Sequence, residues 1–207
     1  GPQIARVDIK LDSVNLSLLS GSAKIKGLIV GNPEGYKTPN AISVGSTSVS
    51  VSPGSLLSDK IVVHSIRIES PQITYELGPG GNNLKKIQSN VDATASDSSD
   101  KATTKSEKPG KKLQVDDVVI TSGKVTLGVA ALGGKVVTAP LPEIHFTNLG
   151  QGPEGITAGD LSKRIFSEIT EGSLKAVAGA ATDIGKGAVN EATKDIVAAY
   201  TKLSKEV

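Results

Sequence analysis

Two histidines and one acidic pair are the side chains best suited to chemistry in this sequence. His64 and His145 are its full set of histidines, and an imidazole held beside a carboxylate or a hydroxyl can move protons near neutral pH. Each lies in a strand-like stretch, with no carboxylate and serine spaced around it as a triad. A strand-surface or edge role is therefore favoured over catalysis. Asp116-Asp117 could hold a cation, although a bulge or turn is the ordinary setting for such a pair. Cysteine is absent, which removes disulfides, zinc-thiolate sites and thiol nucleophiles together. No P-loop, dinucleotide fingerprint, EF-hand loop, Gly-x-Ser-x-Gly elbow or His-Glu-x-x-His occurs. The glycine-rich run from Gly179 to Gly185 lacks the preceding strand that a phosphate loop needs. The expectation is a chain that is not an enzyme, with no catalytic residue, no cofactor and no metal.

The elements that would position any site are announced by a repeat. Ile61–Leu77 aligns without a gap on Leu113–Val129, 52 positions later. Val63/Val115, Ile68/Ile120, Ser70/Ser122 and Thr74/Thr126 are identical, and Ile61/Leu113, Ile66/Val118, Ile73/Val125, Tyr75/Leu127 and Leu77/Val129 are apolar in both copies. Each copy reads as two alternating strands broken at Ser-Pro or Ser-Gly, a strand-corner-strand unit that must bury its apolar face against a neighbour. Inside each copy the apolar spacing slips from two to three, between Val63 and Ile66 and between Val115 and Val118. A three-residue step would turn the strand over, so a bulge or twist is predicted at His64-Ser65 and at Asp116-Asp117.

With 207 residues, 37% of them hydrophobic, the chain can build a core. Aromatics are only 2%, so that core must be aliphatic. A net charge of +2, with lysines scattered outside one segment, leaves no basic face for a phosphate backbone, and nucleic acid is not an expected partner. Alternation from Val7 to Ile29 predicts a meander, breakers at 31–40 a loop, and Ile42 to Val51 another strand. Leu84, Ile87 and Val91 have helical spacing. Asp92 to Lys112 holds no Val, Leu, Ile or aromatic residue and is predicted to be a flexible polar linker or loop; its lysine-rich end could contact anionic lipid, with the solvated reading favoured. Thr157 is suited to cap a helix at Asp160, carrying Leu161, Ile165, Phe166 and Ile169 and ending at Gly172; a second helical run spans Ser173 to Leu203.

These readings combine into an α+β fold: a twisted, mostly antiparallel sheet of about nine or ten strands with C-terminal helices packed on or beside it. Residues 1–91 form a β-rich part with a short helix, 92–112 the linker, 113–149 a second β part completing the same sheet, and 150–207 the helices. The apolar residues of the repeat then have two destinations. In one, the helices cover them as an ordinary core, which is the favoured reading. In the other they line a groove for acyl chains, with Val63, Ile66, Ile68, Ile73, Tyr75, Val115, Val118, Ile120, Val125 and Leu127 as the lipid-contacting candidates.

Leu16–Gly35, Val49–Leu57, Ile61–Glu76 and Asn82–Leu84 together resemble the N-terminal region of AsmA-like envelope proteins, and Leu141–Gly150 followed by Gly155-Ile156-Thr157 is similar to the later part of small members of that group. The resemblance implies an N-terminal inner-membrane helix, absent from this chain, and a periplasmic β-sheet body forming a hydrophobic groove. It also implies a role in lipid binding or transfer or in envelope integrity, with phospholipid acyl chains as ligand. The alternative is a structural module that binds another envelope protein through its sheet edge or helical tail. Methionine is absent, so a processed form or fragment is expected. Gly1-Pro2 fits a protease scar, while Gly1–Ile4 also resembles the native lead-in of such proteins.

Overall fold

Alternating β-branched residues form strands because their side chains pack well on a pleated surface, and that pattern governs most of the chain. The computed structural model describes residues 7–78, 81–100, 111–128 and 136–187. Among them eleven strands make one open sheet: β1 (Ile9–Lys10), β2 (Ser13–Ser17), β3 (Ser22–Gly31), β4 (Asn40–Val51), β5 (Lys60–Glu69), β6 (Gln72–Gly78), β7 (Gly81–Asn82), β8 (Lys112–Thr121), β9 (Lys124–Gly128), β10 (Val136–Pro140) and β11 (Ile144–Leu149). A 3-10 turn spans Pro53–Leu57, and two helices, α1 (Asn83–Asp100) and α2 (Ala158–Gly187), complete the α+β fold. The strand total exceeds nine or ten because β1 and β7 have two residues each, too few to show an alternation.

The sequence repeat is also the pairing register. β5 pairs with β8 in parallel from Lys60↔Lys112 to Glu69↔Thr121, and β6 pairs with β9 from Gln72↔Lys124 to Glu76↔Gly128. Every pair is offset by the same interval as the repeat, so like residues sit side by side and the apolar face of one copy continues into the next. The remaining pairings are antiparallel.

A line of breaks crosses the whole sheet and folds it into two limbs. Ser70-Pro71 separates β5 from β6, Ser122-Gly123 separates β8 from β9, and Leu141–Glu143 separates β10 from β11. β3 passes the line at Gly27, which has φ +63° and faces Asp12 in the gap between β1 and β2. Backbone bonds bridge the corner, from the Ser70 amide to the Thr121 carbonyl at 2.9 Å, Lys124 to Pro71 at 2.9 Å and Leu141 to Gly123 at 2.9 Å. Ser70 and Ser122 both adopt a left-handed conformation, with φ +50° and +55°, which explains why the same small residue stands at both corners. Ser122→Val is expected to cost about 1–2 kcal/mol and Ser122→Gly almost nothing, as read from denaturant midpoints.

The spacing slip of the first copy is resolved by a bulge. On β5 the register with β4 steps from Ser50↔Ser65 to Val51↔Val63, leaving His64 without a partner. On β8 the pairing with β11 keeps its register, Thr147 facing Asp117 and Leu149 facing Val115, so no bulge marks Asp116-Asp117 in that pairing; the irregular residue there is Asn148 of β11, left-handed at φ +59°. Val63 and Ile66, and Val115 and Val118, all stay on the buried face.

Both helices pack on that face. Leu84 and Ile87 of α1 are buried, as are Leu161, Ile169, Ala176 and Val177 of α2; α1 meets β6 and α2 meets β9, β10 and β11, and the helices touch each other. The Thr157 hydroxyl accepts the Asp160 amide at 3.0 Å, the cap expected from sequence. Two expectations change. α2 runs through Gly172 instead of ending there, because Gly172 is a contact glycine: a Cβ would lie 3.2 Å from Leu141 and 3.4 Å from Ile144. The second helical run is thus the same helix as far as Gly187, and its remainder falls outside the described residues. α1 also continues to Asp100, so 92–100 are helical instead of linker; once nucleated by its buried first turns, a helix gains a bond with each added residue. Residues 101–110 of the expected linker lie outside the described residues.

Candidate functional site

The inner face of the sheet carries two rows of side chains running across the strands. Antiparallel and parallel registers together align Leu16, Ala23, Val49, Ile66, Val118 and Phe146 in one row, and Val14, Ile25, Thr47, Ile68, Ile120 and Ile144 in the next. Alternate positions such as Asn15, Lys24, Ser48 and Arg67 lie on the other face, the ordinary apolar-in, polar-out pattern of an antiparallel sheet.

Burial changes along each row. Ile66, Ile68, Val118 and Ile120 are buried, Ala23, Ile25 and Val49 are half-buried, and Val14 and Leu16 are 56% and 62% exposed. α2 covers the rows at β11 and leaves them at β2. All ten lipid-contacting candidates read from sequence, Val63, Ile66, Ile68, Ile73, Tyr75, Val115, Val118, Ile120, Val125 and Leu127, belong to the covered part, at 9% exposure or less. Sequence reasoning had passed over the residues that reach solvent, Val14 and Leu16, because a two-sided alternation does not say where a helix will lie. An open depression of about 610 Å³ extends over β2, β3 and β4; Val14, Leu16, Ala23 and Val49 are in its lining, but the other seven of its eleven residues are polar, among them Asn15, Lys24 and Ser48 of the opposite face, so it is not a groove of the apolar rows alone. Thr47 interrupts its row: it is buried, and its hydroxyl has no hydrogen-bond partner among the described residues.

The titratable residues singled out from sequence meet on the opposite, polar face. His145 Nε2 lies 2.6 Å from Asp117 Oδ1, Arg67 pairs with the other oxygen of Asp117 at 3.3 Å, and His64 Nδ1 lies 3.1 Å from Asp116. Gln114 and Gln151 each donate to Asp116 at 3.1 Å. The Gln114 amide foremost, then His64 and Gln151, hold the Asp116 carboxyl below the usual aspartate range. The cluster is solvent-exposed, where such pairs contribute less than about 1 kcal/mol each. Both imidazoles bond to aspartate, and no hydroxyl hydrogen-bonds to either ring among the described residues. Neither is a group of three or more His, Cys, Asp or Glu side chains gathered there as a metal would require.

A second polar network fixes the far end of the sheet. Glu76 is buried, and its carboxylate accepts the amides of Lys37 at 2.5 Å and Thr38 at 2.8 Å together with the Thr38 hydroxyl. Burial alone would raise its pKa, but the Thr38 hydroxyl, the two amides and the Lys37 charge outweigh it and hold the carboxyl below the ordinary glutamate range. Asn83 accepts the Glu76 amide at 2.9 Å and donates to Asn32 at 2.8 Å and to the Thr74 carbonyl at 2.7 Å. The loop at 31–39, β6 and the start of α1 are thereby joined through one carboxylate and one amide. This is scaffold chemistry, and it lies on limb ends away from the open strip.

The open strip of aliphatic side chains on β2, β3 and β4 is accordingly the surface with most capacity to bind something, and it offers apolar contact without reactive groups. No curated protein matches the chain. A model of the AsmA family matches residues 8–169, which takes in the sheet from β1 through β11 and the first part of α2. That match covers well over half of the 207 residues, and the chain belongs to the AsmA family.

Proposed function

We propose that this protein is a non-catalytic envelope component that holds lipid acyl chains against the open end of its sheet. Membership of an envelope-associated family supports the setting. The observation that carries the reading is the change in exposure along one continuous row, from Val118 at 0% to Leu16 at 62%. The core of the sheet thus emerges into solvent as an aliphatic strip that no described element covers. An acyl chain laid across Leu16, Ala23 and Val49 would remove apolar surface from water at about 25 cal/mol per Å² without needing a polar partner. The ten buried residues of the repeat continue the same apolar face beneath the helices, and would meet lipid only where α1 and α2 moved aside.

Periplasmic location and anchoring to the inner membrane by a preceding helix belong to the same proposal. Among the described residues no helix is long and apolar enough to cross a membrane, so anchoring would come from elsewhere in the protein. Eleven strands on two short limbs make a short trough, suited to local lipid contact more than to conduction across a gap.

Organic extraction and native mass spectrometry of protein purified from cells test the reading. Phospholipid is expected to accompany the wild-type chain. Leu16→Glu, at an exposed position, is expected to shift the unfolding midpoint by less than about 0.5 kcal/mol while reducing bound lipid several-fold. Lipid-free wild-type protein, or unchanged lipid in the variant, would count against acyl binding here and favour a protein-docking role for the β2 edge.

A further inference from the structure

Leu19 and Leu57 are 97% and 95% exposed, the most solvent-facing large apolar side chains among the described residues, and Leu18 stands beside them. They belong to two turns that touch. The Val51 amide donates to the Gly21 carbonyl at 2.6 Å, and a Cβ on Gly21 would come within 3.0 Å of Pro53. The β2–β3 turn carrying Leu18 and Leu19 is therefore packed against the 3-10 turn that ends in Leu57.

The same end is basic. Lys60 and Lys112 open β5 and β8 and pair with each other, and Lys111 donates its ammonium to the Leu56 carbonyl. Lys60 also reaches the Gly152 carbonyl at 3.3 Å. Asp59 and Glu154 lie here too, and against Lys60, Lys111 and Lys112 they leave the balance positive. The described chain begins at the other limb, where the Gly31 amide bonds to the Asp8 carbonyl at 2.8 Å.

Single exposed leucines are common on protein surfaces. Three on two contiguous turns, beside clustered lysines, have the composition of an element that inserts at a membrane interface: apolar groups for the acyl boundary and cations for the headgroups. We propose that this tip docks on an anionic phospholipid surface, with Leu18, Leu19 and Leu57 entering the interface and Lys60, Lys111 and Lys112 facing phosphate. The inference stands apart from acyl binding on β2–β4, since a tip can dock whether or not the strip carries lipid.

Sedimentation with vesicles of phosphatidylcholine, with and without phosphatidylglycerol, tests it directly. Wild-type protein is expected to pellet with the phosphatidylglycerol vesicles, less so as salt rises. Leu19→Ser with Leu57→Ser is expected to lower the partition coefficient by on the order of tenfold per leucine. Lys111→Glu with Lys112→Glu should lower binding to phosphatidylglycerol vesicles selectively. All four positions are on the surface, and an unchanged thermal midpoint in each double variant separates lost docking from lost fold. Wild-type protein that stays in the supernatant, or binding indifferent to the leucines, would overturn the proposal. So would an envelope protein captured through Leu19 by a chain that ignores vesicles. The Leu16→Glu extraction result is unaffected by any of these outcomes.

Discussion

Val125→Asp is expected to abolish folding. Val125 is 1% exposed, sits between Ile73 on β6 and Ala139 on β10, and faces the cover provided by α2. An unpaired carboxylate there has no partner to offset its lost hydration, and the penalty of several kcal/mol is comparable with the whole stability of a domain, about 5–15 kcal/mol. Circular dichroism and urea titration beside Leu16→Glu, which keeps its fold, make the comparison. A folded Val125→Asp protein that had merely lost lipid would place β9 in an open groove and contradict the burial described above.

Glu76→Ala is expected to destabilise by about 2–4 kcal/mol. It strands the amides of Lys37 and Thr38, and hydrogen bonds to a charged group contribute about 1.5–3 kcal/mol each before the loop relaxes. The pH dependence has a defined sign. Because the folded carboxyl titrates below its ordinary value, its stabilisation is fully present above the unfolded glutamate pKa, about 4.3, and is lost as pH falls through the folded value. Stability measured by urea titration down the acid side should therefore fall more steeply for wild type than for Glu76→Gln. Identical slopes would mean that the carboxylate does not hold the loop at 31–39.

How much of this was legible in the sequence depended on the range of the interaction. The repeat announced a unit that buries its face against a neighbour; that the neighbour is the other copy, paired like with like in parallel, was not read from it, because identical apolar spacing does not say which strands meet. The slip at Val63–Ile66 foretold the bulge at His64, whereas Val115 and Val118 are both buried with no register shift between them. Gly172 misled because a glycine that ends a helix and one that lets a helix approach Leu141 have the same signature in one dimension. The polar run after Val91 concealed nine more helical residues, since composition reports burial and backbone bonding needs none. The Glu76 clamp unites Asn32, Thr38, Glu76 and Asn83 across about a quarter of the chain, and no local pattern marks it. The apolar face of the sheet was readable throughout; its uncovered portion was not, because coverage is decided by where α2 comes to rest.

Contact between acyl chains and the β2–β4 strip is most directly tested by a phospholipid with a photoreactive group in its tail, added to the folded wild-type protein, irradiated and mapped by peptide mass spectrometry. Labels are expected on residues 13–26 and 46–51, around Leu16, Ala23 and Val49, and none on β9. Labelling centred on Val125 and Leu127, or no labelling of the strip at saturating probe, would contradict the central claim.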